Sequence, residues 1–167
     1  MHQLRMFNSI VENQEEIISQ CLYVKNNYKF DNLTWEYNKY NIFSLTSGSL
    51  YFYKIYKELM SLLKDEIGDR PMWFQSWINI HDNTSLLDWH NHAWDYHGYI
   101  SIDLKNTVTE FENYTIKNKV GQVYFGPGNN LHRVISNEEF TGNRITIGFD
   151  VTTDPFMDHG CYGLFPV

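Results

Sequence analysis

The 167-residue sequence has little cysteine and little basic charge, and each scarcity excludes a class of protein. Its two cysteines, Cys21 and Cys161, are too few for a disulfide framework and lack the paired spacing of a zinc motif, so a reducing, cytoplasmic setting is predicted. Lys and Arg number 13 against 20 Asp and Glu, which gives a net charge of −7 with no basic stripe. A nucleic acid is therefore not an expected partner.

Long apolar runs are also missing. Residues 1–7 lack the apolar core of a signal peptide, and no run reaches the length that spans a bilayer, so no membrane association is predicted. The sequence is instead 43% hydrophobic and 17% aromatic, as in a packed globule with much sheet. Its length predicts that residues 1–167 form a single domain.

Helices are predicted in the first part of the chain, over about residues 1–70. A capping box at residues 9–12 and a broken apolar stripe predict a helix over 9–25. Apolar residues at every third or fourth position predict a second helix over 47–67, which Gly68 would end. Between these helices, residues 41–45 are predicted to form a short strand.

Strands are predicted in the second part, over about residues 71–151, where β-branched and aromatic residues are dense. The predicted strands are 72–80, 98–104, 107–117, 120–125, 133–136 and 144–151. Helices followed by strands indicate an α+β domain whose sheet part is a sandwich or a barrel. The tail, 152–167, is too apolar for a free end and is expected to dock on the barrel or on a second subunit, so a homodimer is a candidate assembly.

Histidines at ligand spacing are the strongest functional signal. Residues i and i+2 of an extended segment point to the same side, so His90 and His92 can hold one metal ion. The third predicted ligand is His132, which follows a Gly-Pro-Gly turn. A redox-active iron site takes its ligands from one side, as three imidazoles or as two imidazoles and a carboxylate. The carboxylate of Asp95 is therefore the alternative to the imidazole of His92. Same-face geometry favours His92.

The order of these motifs resembles the 2-oxoglutarate and Fe(II)-dependent dioxygenase superfamily, and it looks closest to a small bacterial and phage branch. The motifs that carry the resemblance are His90-Asn91-His92, His97-Gly98-Tyr99, Phe125-Gly126-Pro127 with Leu131-His132, and Arg144-Ile145-Thr146 with Phe149. Together they cover about residues 77–151. The sequence departs from the common family pattern at His92, where Asp is usual, and at His97, where this branch has Ser.

The resemblance implies a fold, a metal and a cosubstrate. The fold would be a double-stranded β-helix, a jelly-roll or cupin-like architecture with the N-terminal helices packed on one sheet. The metal would be Fe(II), held by His90 and His132 together with His92 or Asp95. The cosubstrate would be 2-oxoglutarate, whose far carboxylate would pair with Arg144, and Thr146 of the same motif is assigned to this site.

The activity implied is that of an oxygenase, by preference a hydroxylase, which converts 2-oxoglutarate to succinate and CO2 while it oxidises a small-molecule or peptidyl substrate. One alternative is a cupin-like metal dioxygenase that uses no 2-oxoglutarate. Another is a non-catalytic β-barrel that binds a ligand or a partner.

The remaining histidines receive other predictions. His97, like Asp95, is a candidate to orient a ligand imidazole. His2, His81 and His159 are predicted to be structural or exposed.

Overall fold

The computed structural model of the protein describes residues 2–27 and 40–154 and the backbone of 163–165. Within this part of the chain the helices are α1 (Asn8–Glu12), α2 (Gln14–Asn27), α3 (Ile42–Leu45) and α4 (Leu50–Ile67). The strands are β1 (Gln3–Met6), β2 (Met72–His81), β3 (Tyr96–Asp103), β4 (Thr107–Phe111), β5 (Thr115–Lys117), β6 (Gln122–Pro127), β7 (His132–Ser136), β8 (Arg144–Thr152) and β9 (Gly163–Phe165).

The strands form two antiparallel sheets. The larger sheet has the order β1-β6-β3-β8-β2-β9, and the smaller has the order β5-β4-β7. Side chains from β2, β3 and β8 of the larger sheet and from β4 and β7 of the smaller one line the same cavity, so the two sheets face each other. This is the predicted α+β, cupin-like double-stranded β-helix.

The central strands are buried on both faces, because the helices cover one side of the larger sheet and the smaller sheet covers the other. Alternate residues of a strand point to opposite faces. In β8 the residues at 145, 147, 149 and 151 are apolar and join the core beneath the helices. Those at 144, 146, 148 and 150 are Arg, Thr, Gly and Asp, so the face of β8 toward the smaller sheet is largely polar.

Helix α4 confirms the second predicted helix. The Ser49 side chain caps its first turn by accepting a hydrogen bond from Phe52 N–H (3.3 Å). Gly68 ends it with a φ of 96°, a conformation that favours glycine. The buried face of α4 packs into the helix-side core through Phe52, Ile55, Leu59, Leu62 and Leu63.

The first predicted helix is broken into two, because α1 ends at Glu12 and α2 begins at Gln14. The intervening Asn13 leaves the helical conformation and donates from Nδ2 to Ser9 O (2.7 Å). The predicted capping box is wrong. Ser9 lies inside α1, and its hydroxyl and main-chain N–H both donate to the Glu58 carboxylate of α4.

Other differences also come from contacts that local sequence does not reveal. Residues 41–45 do not form the predicted strand, since Asn41 accepts from Phe43 N–H (3.1 Å) and caps the short helix α3. The predicted strand 107–117 turns back on itself at 112–114 and becomes β4 and β5. Strand β1, which was not predicted, pairs with β6 at one edge of the larger sheet.

Two further predictions concern the docking of the C-terminal tail and the absence of a membrane-spanning segment. Strand β9 pairs with β2 at the other edge of the sheet, so this part of the tail docks on the barrel as predicted. Residues 155–162, with His159 and Cys161, lie outside the described residues. None of the helices in the described ranges is long and apolar enough to cross a membrane.

Candidate metal centre

Main-chain hydrogen bonds join the two segments that were predicted to carry metal ligands. His90 and His132 form an isolated antiparallel bridge, in which each N–H donates to the other residue's carbonyl (2.9 Å both ways). Nearby, His92 N–H donates to Gly128 O (2.9 Å). A Cβ atom on Gly128 would lie 2.0 Å from Trp94 O, so only glycine permits this approach. The backbone thus sets the two segments side by side.

The structure brings His90, His92 and His132 together. One ligand atom from each imidazole can be chosen so that all three atoms lie within 4.8 Å of one another, a separation that one ion can bridge. Asp95 does not join them. Its carboxylate accepts from Thr153 N–H (2.8 Å) and Thr152 Oγ1 (3.0 Å), and so holds the start of the C-terminal tail.

Hydrogen bonds at Nδ1 fix the tautomer of all three imidazoles. Each Nδ1 contacts an oxygen that can only accept, so Nδ1 carries the hydrogen and Nε2 keeps the lone pair that a metal needs. The contacts are His90 Nδ1 to Asp88 O (2.6 Å), His132 Nδ1 to Asn130 O (2.9 Å) and His92 Nδ1 to Asp150 Oδ2 (3.2 Å).

Asp150 is the buried anchor of this arrangement. Its carboxylate, which is 0% exposed, also accepts from His97 Nδ1 (3.0 Å), and the His92 and His97 rings stack with centroids 3.6 Å apart. Burial would raise the pKa of Asp150, but the hydrogen bonds from the two imidazoles outweigh it and hold the pKa at about 2. The carboxylate therefore stays ionised. His92, His97 and Asp150 form a second group with ligand atoms within 4.8 Å of one another.

Burial keeps the imidazoles of His90, His97 and His132 neutral. Desolvation, with the neighbouring histidines adding to it, lowers the pKa of His132 to about 2 and that of His97 to about 4. Desolvation also lowers the pKa of His90. Neutral imidazoles are the form that binds metal ions, so near neutral pH no proton has to be displaced from these rings.

Replacing Asp150 with asparagine is expected to lower the affinity for a divalent metal by about 10–100-fold, as is usual when a partner of a ligand histidine is lost. The amide cannot accept from both His92 and His97 while keeping its own N–H groups away from them. Metal titration followed by calorimetry measures the loss. Asp95→Asn is the control, because its carboxylate lies apart from the histidines. Equal metal affinity in the Asp150 variant and the wild type would show that the hydrogen bonds from His92 and His97 to Asp150 do not support metal binding.

The imidazoles face a cavity of about 260 Å³ between the sheets, and Arg144 lines the same cavity. The Arg144 side chain is 2% exposed, and it donates to Thr107 Oγ1 (3.0 Å) and Thr146 Oγ1 (3.3 Å). Burial lowers its pKa to about 10, which still leaves it charged at neutral pH. No carboxylate among the described residues lies within 4.0 Å of it, so in that part of the chain its charge has no protein counter-ion.

His81 lies opposite Arg144 in the β2–β8 register and is 1% exposed. Neither ring nitrogen has a hydrogen-bond partner in the described part of the chain. Burial, and then the charge of Arg144, lower its pKa to about 4. A folded-state pKa below the unfolded value of about 6.5 means that stability falls as the pH drops from about 6.5 to about 4.

The variant His81→Leu is therefore expected to be less sensitive to acid. The loss of unfolding free energy between pH 7 and pH 5 should be smaller than in the metal-free wild type by roughly 1–2 kcal/mol. Urea unfolding at the two pH values measures this difference. Parallel losses in the two proteins would show that His81 is not responsible.

Sequence reasoning missed Asp150, Asn79 and Trp77, which all belong to this site. A signal for Asp150 was present, because Arg144, Thr146 and Asp150 fall on every second position of an otherwise apolar strand. Such spacing places them on one face. Asn79 lies two residues from Trp77, on the same face of β2.

No family model matches the sequence, and no curated protein matches it. Solved structures do resemble the fold. The non-heme alpha ketoglutarate dependent epimerase SnoN from nogalamycin biosynthesis aligns over 90% of this chain and 78% of its own, with a TM-score of 0.65 and 8% identity. SnoN has also been solved in complex with Fe3+, alpha ketoglutarate and nogalamycin RO. The non-heme monooxygenase ThoJ, solved as a nickel complex, aligns over 93% of this chain and 71% of its own, with a TM-score of 0.61 and 10% identity. Likeness at such low identity establishes a shared fold.

Proposed function

We propose that this protein is an Fe(II)- and 2-oxoglutarate-dependent oxygenase and, within that class, a hydroxylase of a small-molecule or peptidyl substrate. The observation that carries the proposal is one cavity lined both by three converging imidazoles and by a buried arginine with no carboxylate partner among the described residues. The fold shared with an alpha ketoglutarate dependent enzyme adds support.

The donor set fits iron. His90, His92 and His132 would hold the ion through Nε2, because their Nδ1 atoms are engaged elsewhere. Three ligands from the protein leave coordination positions for small molecules. A bound iron ion supplies the redox chemistry of such enzymes, in which 2-oxoglutarate is decarboxylated to succinate while dioxygen is reduced and a substrate C–H bond is hydroxylated.

Arg144 and Thr146 would bind the far carboxylate of 2-oxoglutarate. A guanidinium has five N–H donors in a planar fork, and among the described residues Arg144 makes two side-chain hydrogen bonds, through Nε and Nη1. The remaining donors suit a carboxylate, and a charge-assisted pair in a buried site is strong. Thr107 holds the guanidinium in place, since its hydroxyl accepts from Arg144 and donates to Leu104 O (2.7 Å).

Apolar side chains would keep water out of the cavity. Trp77, Leu87, Tyr99 and Val134 line it beside the imidazoles. Tyr99 is also fixed by its hydroxyl, which donates to Asn118 Oδ1 (2.9 Å). Exclusion of water strengthens the pairing between Arg144 and a carboxylate and protects reactive species from side reactions.

The proposal is tested by incubating the purified protein with Fe(II), 2-oxoglutarate and dioxygen and measuring succinate. Succinate should form in excess over protein and should require all three components. A second measurement, made without dioxygen, follows the charge-transfer absorption that 2-oxoglutarate produces when it chelates protein-bound Fe(II). A protein that gives neither succinate nor this absorption is not a 2-oxoglutarate oxygenase.

A cupin-like dioxygenase that needs no 2-oxoglutarate is the second candidate. The observation that favours it is the imidazole of His92 at the position where the oxygenase superfamily usually has a carboxylate. Consumption of dioxygen with Fe(II) and substrate but without 2-oxoglutarate would select this alternative. If no divalent ion binds at all, a non-catalytic ligand-binding β-barrel is the function left.

A further inference from the structure

A line of polar side chains crosses strands β2 and β8 on the cavity face. In the register of these strands Trp77 lies opposite Gly148, and Asn79 lies opposite Thr146. A Cβ atom on Gly148 would lie 2.5 Å from the indole ring of Trp77, so the ring occupies the space that glycine leaves. From there Trp77 Nε1 donates to Asn79 Oδ1 (3.1 Å).

The chemistry of the two ends fixes the direction of every hydrogen bond in this line. An indole N–H can only donate, so Trp77 holds the carbonyl oxygen of Asn79 toward itself. The Asn79 Nδ2 group must then face the other way, and it donates to Thr146 Oγ1 (3.3 Å). Arg144, which also can only donate, gives a second hydrogen bond to the same oxygen (3.3 Å).

The Thr146 hydroxyl therefore has only its O–H donor left to offer a ligand. A hydroxyl has two acceptor lone pairs and one O–H donor, and Asn79 and Arg144 occupy both lone pairs. No residue in the described ranges accepts the hydroxyl hydrogen. Thr146 lines the cavity, so its O–H is available to a ligand there only as a donor.

We propose that Trp77 and Asn79 are positioning residues that turn the Thr146 hydroxyl toward the ligand and make this end of the cavity select a carboxylate over a carboxamide. The inference rests on the proposed function in taking the far carboxylate of 2-oxoglutarate as the natural ligand group. A carboxamide would bring its own N–H groups against Thr146 and Arg144, and neither of them has an acceptor to offer.

The test compares an acid with its amide in two pairs. The first pair is 2-oxoglutarate and 2-oxoglutaramate, titrated by calorimetry into protein loaded with Ni(II). The second pair is butyrate and butyramide, titrated by NMR into metal-free protein, so that binding depends neither on a metal nor on the 2-oxo group. The quantity compared is the ratio of the amide Kd to the acid Kd.

Asn79→Leu frees one lone pair of Thr146, and the ratio is expected to fall by about 10-fold, the value of one buried hydrogen bond. Trp77→Phe should act in the same direction, because Asn79 can then turn its oxygen toward Thr146. In a Thr146→Val background, Asn79→Leu should change the ratio no further, since Asn79 acts through Thr146.

The control is Asn118→Leu. Asn118 is also buried and makes two side-chain hydrogen bonds, to Tyr99 (2.9 Å) and Thr109 (3.0 Å), but none to Thr146. The ratio of amide Kd to acid Kd in Asn118→Leu should match that of the wild type. This result would separate the proposed role of Asn79 from the effect of losing any buried amide side chain.

The possible outcomes separate this inference from the proposed function. An unchanged ratio in Asn79→Leu and in Trp77→Phe, or an equal fall in the Thr146→Val background, overturns the inference while 2-oxoglutarate binding stands. A third outcome is that the wild type prefers butyrate to butyramide, loses this preference in Asn79→Leu, and does not bind 2-oxoglutarate. That result supports the inference and overturns the 2-oxoglutarate assignment. A wild type that binds neither acid overturns both.

Discussion

Replacing His132 with alanine is expected to lower the affinity for a divalent metal by more than about 100-fold, beyond the 10–100-fold that follows the loss of an outer partner. The substitution removes one of three converging imidazoles. It should leave the fold intact, because His132 holds the His90 segment through its main-chain N–H and carbonyl, which alanine also has. Calorimetric titration with Fe(II) under anaerobic conditions, or with Ni(II) in air, measures the loss.

A control and a rival site sharpen this experiment. His2→Ala removes an imidazole that stacks on Tyr114, away from the three converging ligands, and should leave metal affinity unchanged. The rival is the group formed by His92, His97 and Asp150. If the His132 variant kept wild-type affinity while His97→Ala lost it, the ion would belong to that group.

Replacing Arg144 with methionine is expected to weaken 2-oxoglutarate binding by about 2–5 kcal/mol, the range for truncating one partner of a buried charge pair. Methionine keeps much of the length and apolar volume of the arginine stem, so the cavity wall is preserved as far as a neutral residue allows. Metal affinity should stay at the wild-type value. Titration of 2-oxoglutarate into Ni(II)-loaded protein measures the effect.

Arg144→Lys supplies the matched comparison. Lysine keeps the positive charge but lacks the planar fork, so its affinity should fall between those of the wild type and the methionine variant. Wild-type affinity for 2-oxoglutarate in the methionine variant would show that Arg144 does not bind this cosubstrate. A parallel loss of metal binding would mean that the substitution had damaged the barrel.

The sequence predicts the parts of the fold whose residues carry a strong local pattern. Strands β2 and β8 are buried on both faces, so their apolar and β-branched residues are dense enough to be recognised. Strand β1 has no such pattern, since its residues are largely exposed and it is held by pairing with the distant β6. At α3, a single side-chain cap from Asn41 outweighs the strand preference of the residues that follow.

The candidate site divides in the same way. His90, His92 and His132 stand out because their residue type and spacing are unusual. The contribution of Asp150 depends on its lying opposite His97 in the register between β3 and β8, and that of Asn79 on its lying opposite Thr146. Register between distant strands is a property of the folded sheet and is not encoded by any short motif.

The bridge between His90 and His132 has a consequence for how such a centre changes over evolutionary time. Both of its hydrogen bonds use backbone atoms, so almost any amino acid could occupy either position without separating the two segments. The side chains at positions 90 and 132 can thus change one at a time, and with them any affinity for an ion, while the architecture around them persists.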